Sequence, residues 1–273
     1  MLTLDIGPLA LGVSHVLLFG SLLLATLVGW LIGRRHGCNP ERQLFRMLLL
    51  ALVVARLAFV LVYAEFYREA PWRVVDIRDG GFIAWPGLLA GLALGAWYLW
   101  REARLRRPLG VALSVGLALW LGGSYMMHAL EQGTHLPDLQ LQDEQGMAVN
   151  LRDYAGKPLV VNLWATWCPP CRREMPVLKQ AQEREAGITI LFVNQGESMQ
   201  VVAEFLASQD LVLDNMLFDS AVQLGQMVGS RALPTTLFYD AEGRQVGSHL
   251  GELSHASLER ALSILREGSS GER

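Results

Sequence analysis

Two cysteines separated by two prolines, Cys168-Pro169-Pro170-Cys171, offer the most chemistry in this 273-residue chain. The apolar run Leu159–Trp164 has the length of a central buried strand, and a helix is expected to start near Pro169 or Pro170 and run to about Glu185. A strand would thus deliver Cys168 to a helix start, where unpaired N–H groups and the positive helix end favour a thiolate. Only the thiolate attacks a disulfide. Cys171 lies one helical turn on and can resolve the mixed disulfide. Proline is tolerated in a first turn, where a missing N–H costs little. Trp167 is expected to shield one side of the site and offer an apolar docking surface. A bare pair at this spacing could equally be structural or metal-binding. A second element favours redox chemistry: Leu233-Pro234-Thr235-Thr236 stands just before a strand, where a proline and a cis bond are tolerated.

The elements that would position this pair occupy only half the chain. Hydrophobic residues make up 52% and charged residues 18%, less charge than the roughly 25% of soluble domains. The net charge of −3 provides no basic field for nucleic acid, so no nucleic-acid partner is expected. The third cysteine, Cys38, stands alone. The chain therefore lacks the disulfide framework of small secreted domains and the second Cys/His pair of a structural zinc site. No metal and no cofactor is expected.

Four apolar stretches, at about 9–33, 47–64, 82–100 and 109–128, read as transmembrane helices of an N-terminal domain over 1–131. The start, Met1 to Pro8, carries Asp5 and no basic residue, unlike a cleaved signal peptide. Arg34, Arg35, Arg42 and Arg46 crowd one loop, and Arg101, Arg104, Arg106 and Arg107 another. The opposite loop, 65–81, balances its arginines with Glu65, Glu69, Asp76 and Asp79. By the positive-inside rule the arginine-rich loops face the cytoplasm. The N-terminus and everything after 128 then face a periplasm, and the expected location is a bacterial inner membrane. Arg56, inside the second span, is expensive there. It could meet a lipid headgroup or a buried acid, or be a helix-interface arginine that snorkels or pairs. His128, Glu131 and His135, near Met126 and Met127, could bind copper or form a polar juxtamembrane stretch.

After a linker at 132–136 the texture changes. Strands are expected at Leu139–Asp143, Ala148–Leu151, Leu159–Trp164, Ile188–Asn194, Thr235–Tyr239 and Gln245–Leu250, and helices at about 169–185, 198–208, 220–228 and 255–267. Strands alternating with helices predict an α/β domain over 137–268, followed by a disordered tail at 269–273.

Residues 137–267 resemble the thioredoxin fold, and more closely the TlpA/ResA-type bacterial disulfide reductases. The matching stretches are Trp164-Ala-Thr-Trp-Cys-Pro-Pro-Cys-Arg-Arg-Glu-Met-Pro176, Val193-Asn-Gln-Gly-Glu-Ser198 and Leu233-Pro-Thr-Thr236. The resemblance implies that Cys168 attacks and Cys171 resolves, cycling through a Cys168–Cys171 disulfide, and that Pro234 is cis and packs against the dithiol. It also implies that Glu174 and Glu197 lie near the cleft, where a carboxylate tunes a thiol or relays protons. On their own, Glu174 reads equally as a solvated acid on a first helical turn, and Glu197 as a loop acid.

Residues 5–107, within the 5–131 region, resemble the N-terminal part of prolipoprotein diacylglyceryl transferases. The matches are Ile6-Gly-Pro-Leu-Ala10, Ala55-Arg-Leu-Ala-Phe-Val-Leu-Val-Tyr63 and Asp79-Gly-Gly-Phe82. Where that family has a His-Gly-Gly stretch this chain has Trp85-Pro86-Gly87, and Gly122-Gly-Ser-Tyr-Met-Met-His-Ala-Leu-Glu131 replaces its later signature. The resemblance therefore implies a truncated, diverged anchor. The expected function is a periplasm-facing disulfide reductase acting on envelope proteins, embedded in the lipid bilayer. A lone Cys38 cannot cycle as a dithiol, so a separate membrane protein must donate electrons. A thiol oxidase of the same fold and a diverged lipid transferase are the alternatives.

Overall fold

The computed structural model describes residues 3–6, 9–68, 70–132 and 134–270, with backbone alone at 3–6, 9–11, 36, 131, 132 and 268–270. The chain divides into two compact units. One comprises Met1–Val13, Arg78–Gly80 and His128–Arg273, the other Ser14–Ile77 and Gly81–Met127. A short hairpin pairs β1 (Thr3–Ile6) with β2 (Leu9–Gly12). The first apolar helix, α1 (Val13–His36), therefore starts four residues later than its apolar run.

Three helices follow: α2 (Glu41–Val62), α3 (Ala84–Arg101) and α4 (Arg106–Gln132). Among the described residues, three segments are long and apolar enough to cross a membrane, Val13–Arg35, Glu41–Val62 and Ala103–Leu130. The fourth expected span, at 82–100, falls on α3, which is not one of them. Trp85, Pro86, Trp97, Tyr98, Trp100 and three glycines dilute α3. Those glycines serve packing. A methyl on Gly87 would strike the carbonyl oxygen of Ala51, and Gly91 and Gly95 continue the contact past Ala51 and Met47. Small residues every four positions let two helix backbones approach closely, here α3 along α2.

The other unit is built on a seven-stranded sheet. Its strands are β3 (Gln140–Gln142), β4 (Ala148–Asn150), β5 (Leu159–Trp164), β6 (Thr189–Gln195), β7 (Met216–Asp219), β8 (Thr235–Tyr239) and β9 (Gln245–Leu250). Their order is β4-β3-β7-β6-β5-β8-β9. β5, β6 and β7 run parallel, and β8 and β9 continue antiparallel. Its helices are α5 (Pro169–Arg184), α6 (Met199–Ser208), α7 (Gln223–Met227) and α8 (His255–Ser270). The central strand β5 is buried on both faces, which is why all of its residues but Asn162 are apolar. Val160 and Trp164 pack on one side with Met175, Leu178, Phe192 and Leu262. Leu159, Val161 and Leu163 pack on the other with Leu191, Val193 and Leu237.

Several boundaries move. β7 is a strand the sequence reading lacked; it is four residues long and fully buried, so it shows no alternation. The helix expected at 220–228 contracts to α7, because the Asp219 carboxylate captures the N–H groups of Gln223 at 2.9 Å and Leu224 at 2.8 Å. Leu136, expected in the linker, is buried in the sheet's core, and Thr134 accepts the N–H of Gln245 at 2.9 Å. α8 extends to Ser270, into the expected tail. Met1, Leu2, Gly7, Pro8, Glu69, Gly133 and 271–273, which carry parts of the expected N-terminal segment, acidic loop, linker and tail, lie outside the described residues.

Candidate active site

Cys168 caps the N-terminus of α5. Its backbone is extended there, at φ −89° and ψ 106°, and its Sγ accepts the N–H of Cys171 at 3.3 Å. That donor is one of the helix-end groups with no partner inside the helix. Cys168 and Cys171 form a disulfide with their Cα atoms 5.3 Å apart. Both sulfurs are withdrawn from solvent, Cys168 at 3% exposure and Cys171 at 0%. Trp167, immediately before, is 67% exposed and presents an apolar face beside a site that is otherwise covered. The Leu233–Pro234 bond is cis, Pro234 is buried, and β8 starts at the next residue.

Glu174 is fully buried. It lies three residues beyond Cys171, hence on the same face of α5. Asn162 Nδ2 donates to its Oε1 at 2.8 Å, and the N–H of Leu253 to its Oε2 at 2.9 Å. Asn162 also donates to the Thr236 hydroxyl at 3.0 Å, joining β5, α5 and β8 beneath the dithiol. Burial pushes the Glu174 carboxyl up to about 8 from 4.5; the Leu253 and Asn162 hydrogen bonds pull the other way, and Glu252 adds to the rise. A carboxyl group held there can lose or take a proton near neutral pH beside a thiol pair.

Glu197 has a different task. It accepts the N–H of Thr166 at 2.7 Å, the Thr166 hydroxyl, and Asn194 Nδ2 at 2.8 Å. It bolts the Thr166–Trp167 turn to the end of β6. Glu197→Ala leaves these partly buried donors without an acceptor, a loss of about 1–3 kcal/mol. The expected result is a lower thermal midpoint and slower disulfide exchange. Glu197→Gln, which keeps an acceptor oxygen, should fall between.

The remaining candidates sit elsewhere. The Arg56 guanidinium is buried and donates to four backbone carbonyls: Gly81 at 2.8 Å, Val74 at 3.0 Å, Arg73 at 3.1 Å and Asp76 at 2.6 Å. Phe59, Tyr67 and Phe82 surround it. It thereby organises its own loop. Cys38 is a free thiol whose Sγ lies 3.3 Å from the carbonyl of Arg104. His128 lies on α4, and His135 pairs with Arg244 at the sheet edge. The Glu131 side chain lies outside the described residues. Among the described residues, no three His, Cys, Asp or Glu side chains are grouped to hold a metal. Sequence reasoning missed Asn162, Thr166 and Thr236 as site residues. The signal for Asn162 was present, as the one polar residue inside an apolar strand.

Two family models match the chain. Residues 132–245 match the AhpC/TSA family, and residues 3–124 match prolipoprotein diacylglyceryl transferase. Thiol-disulfide oxidoreductase ResA of Bacillus thuringiensis subsp. konkukian is 28% identical over 151 residues, 55% of this chain and 87% of that protein. ResA of Bacillus subtilis is 28% identical over 142 residues, 51% and 79% of the two chains. The C-terminal half is thioredoxin-like and similar to these thiol-disulfide oxidoreductases. Among solved structures, a thioredoxin-family thiol:disulfide interchange protein from Chlorobium tepidum TLS aligns with a TM-score of 0.43 and 25% identity, covering 48% of this chain and 95% of that one. StoA from Bacillus subtilis aligns with a TM-score of 0.40 and 19% identity, covering 46% and 99%.

Proposed function

We propose that this chain is a membrane-anchored protein-disulfide reductase in which Cys168 attacks and Cys171 resolves. The observation that carries the reading is the placement of Cys168 at the N-cap of α5, its sulfur facing the N–H of Cys171. The Cys168 thiolate attacks a substrate disulfide, forming a mixed disulfide and releasing one substrate thiolate. Cys171 loses its proton and attacks the Cys168 sulfur. The second substrate sulfur then leaves, and the Cys168–Cys171 disulfide holds the oxidation. Two electrons pass to the substrate. Glu174, whose carboxyl is raised to about 8, accepts the Cys171 proton in its ionised form and returns it when the pair is reduced again. Trp167 and Pro234 frame the docking face.

Cys38 is the sole further cysteine in the sequence, and one thiol cannot relay two electrons. A separate membrane protein therefore recharges the dithiol, and disulfide-bearing envelope proteins are the substrates. The helices act as a bilayer anchor, a reading supported by the diacylglyceryl transferase match over residues 3–124. In it α3 crosses as the antiparallel partner of α2, since its 18 residues reach about 27 Å. With four crossings the arginine-rich loops around 34–46 and 101–108 face the cytoplasm, and the dithiol faces the periplasm of a bacterial inner membrane.

The test is a trap. Full-length Cys171→Ala, expressed in bacteria, should accumulate mixed disulfides through Cys168 that reductant releases. Their absence overturns the exchange reading. A redox titration then fixes the direction. A potential near −120 mV, that of a strong oxidant, would overturn reduction in favour of oxidation.

A further inference from the structure

The turn joining β9 to α8 touches the redox site at two points. The N–H of Gly251 donates to the carbonyl of Pro234 at 3.0 Å, and the N–H of Leu253 donates to Glu174 at 2.9 Å. The same turn is held from another side by Arg78–Gly80, which belong to the same compact unit. The buried Asp79 carboxylate accepts the Ser254 hydroxyl at 2.9 Å. That hydroxyl in turn accepts the N–H of Ser257 at 3.2 Å, capping α8. A serine hydroxyl has one proton to give, and Asp79 fixes where it goes. Gly80, at φ +61°, lies against the end of β9 that leads into the turn: a methyl there would sit 3.3 Å from the His249 ring. His249 stands opposite Thr236 in the β8–β9 ladder, and its Nε2 lies 3.3 Å from the Glu252 carbonyl.

We propose that Asp79 is a positioning residue for the dithiol reaction. Through Ser254 it fixes the β9–α8 turn, so that Leu253 stays on Glu174 and Gly251 stays on the cis-proline loop. The inference rests on the exchange reading above. Its consequence is specific. The reduced pair holds a thiolate whose charge responds to a buried carboxyl one turn away and to the loop beside it. The disulfide is neutral and responds less. Slackening the turn therefore changes the two redox states unequally, whereas a plain loss of scaffold stability weakens both alike and leaves their ratio unchanged.

The experiment uses the full chain in detergent micelles, equilibrated with glutathione redox buffers, with the reduced fraction read by thiol alkylation and mass. Asp79→Ala and Ser254→Ala should each shift the equilibrium constant in the same direction, by about threefold or more. The double variant should shift it no further than the larger single one, because the residues act through one bond. Ser254→Thr keeps the hydroxyl and should match wild type. If Asp79→Ala does not fold, Ser254→Ala carries the test. Single variants equal to wild type, or shifts that add in the double variant, overturn the proposal. A wild-type dithiol that fails to exchange with glutathione overturns the underlying reading instead.

Discussion

Cys168→Ser is expected to remove all catalysed exchange, while Cys171→Ser stops the reaction one step later. The two cysteines are both buried, so exposure alone does not separate them. Their backbone positions do. Cys168 is the cap, with its sulfur outside the first turn and facing a donor that has no partner inside the helix. A negative sulfur there is stabilised by that hydrogen bond and by the positive end of α5. Cys171 lies inside the helix at 0% exposure, where a thiolate has no such support. A serine at 168 offers a hydroxyl that is not ionised near neutral pH, so no mixed disulfide forms. A serine at 171 leaves the first attack intact and the product stalled on Cys168. Single-turnover mixing with a disulfide peptide, followed by intact mass, distinguishes them. Cys168→Ser should show unmodified protein, and Cys171→Ser the peptide adduct. Equal adduct yields in both would show that the roles of the two sulfurs are not as assigned.

The dithiol and its strand were legible because their signals are local. Leu159–Trp164 is apolar but for Asn162, and two prolines mark the helix start. β7 was not legible, since four buried residues carry neither alternation nor a turn signal. α3 carries two signals at once: its length suits a span, its tryptophans dilute the apolar run, and its glycines answer to the contact with α2. Glu174 reads as a surface acid beside Arg172 and Arg173. Its burial follows from Asn162 on β5 and the N–H of Leu253, groups brought to it only by the closed sheet. The bond between Asp79 and Ser254 spans 175 residues, and no periodicity announces such a pairing. Local chemistry was thus visible, and the buried polar contacts beneath it were not.

Glu174 should make the thioredoxin-like domain lose stability as the pH rises. Its carboxyl titrates at about 8 when folded, against 4.5 without its surroundings. Between those values the folded chain keeps a proton that the unfolded chain has released. Proton binding then favours the folded state at low pH, and that advantage is lost as pH climbs through the window. The slope approaches about 1.4 kcal/mol per pH unit and flattens above the folded value. His249 acts in the opposite direction below its ordinary value of 6.5. Burial lowers its pKa, so the unfolded chain takes up a proton that the folded chain refuses, and stability falls as the pH drops. The two effects oppose one another on the acid side, leaving the Glu174 decline clearest from about pH 6.5 to 8. Glu174→Gln keeps the shape and an acceptor oxygen without ionising, so its urea midpoint should be flat across that window where wild type declines. The same variant cannot accept the Cys171 proton. If Glu174 moves that proton, turnover should fall by about 10²-fold while the first attack by Cys168 keeps its rate. A variant that flattens the stability profile yet turns over like wild type would leave Glu174 a buried structural acid and remove it from the proton path.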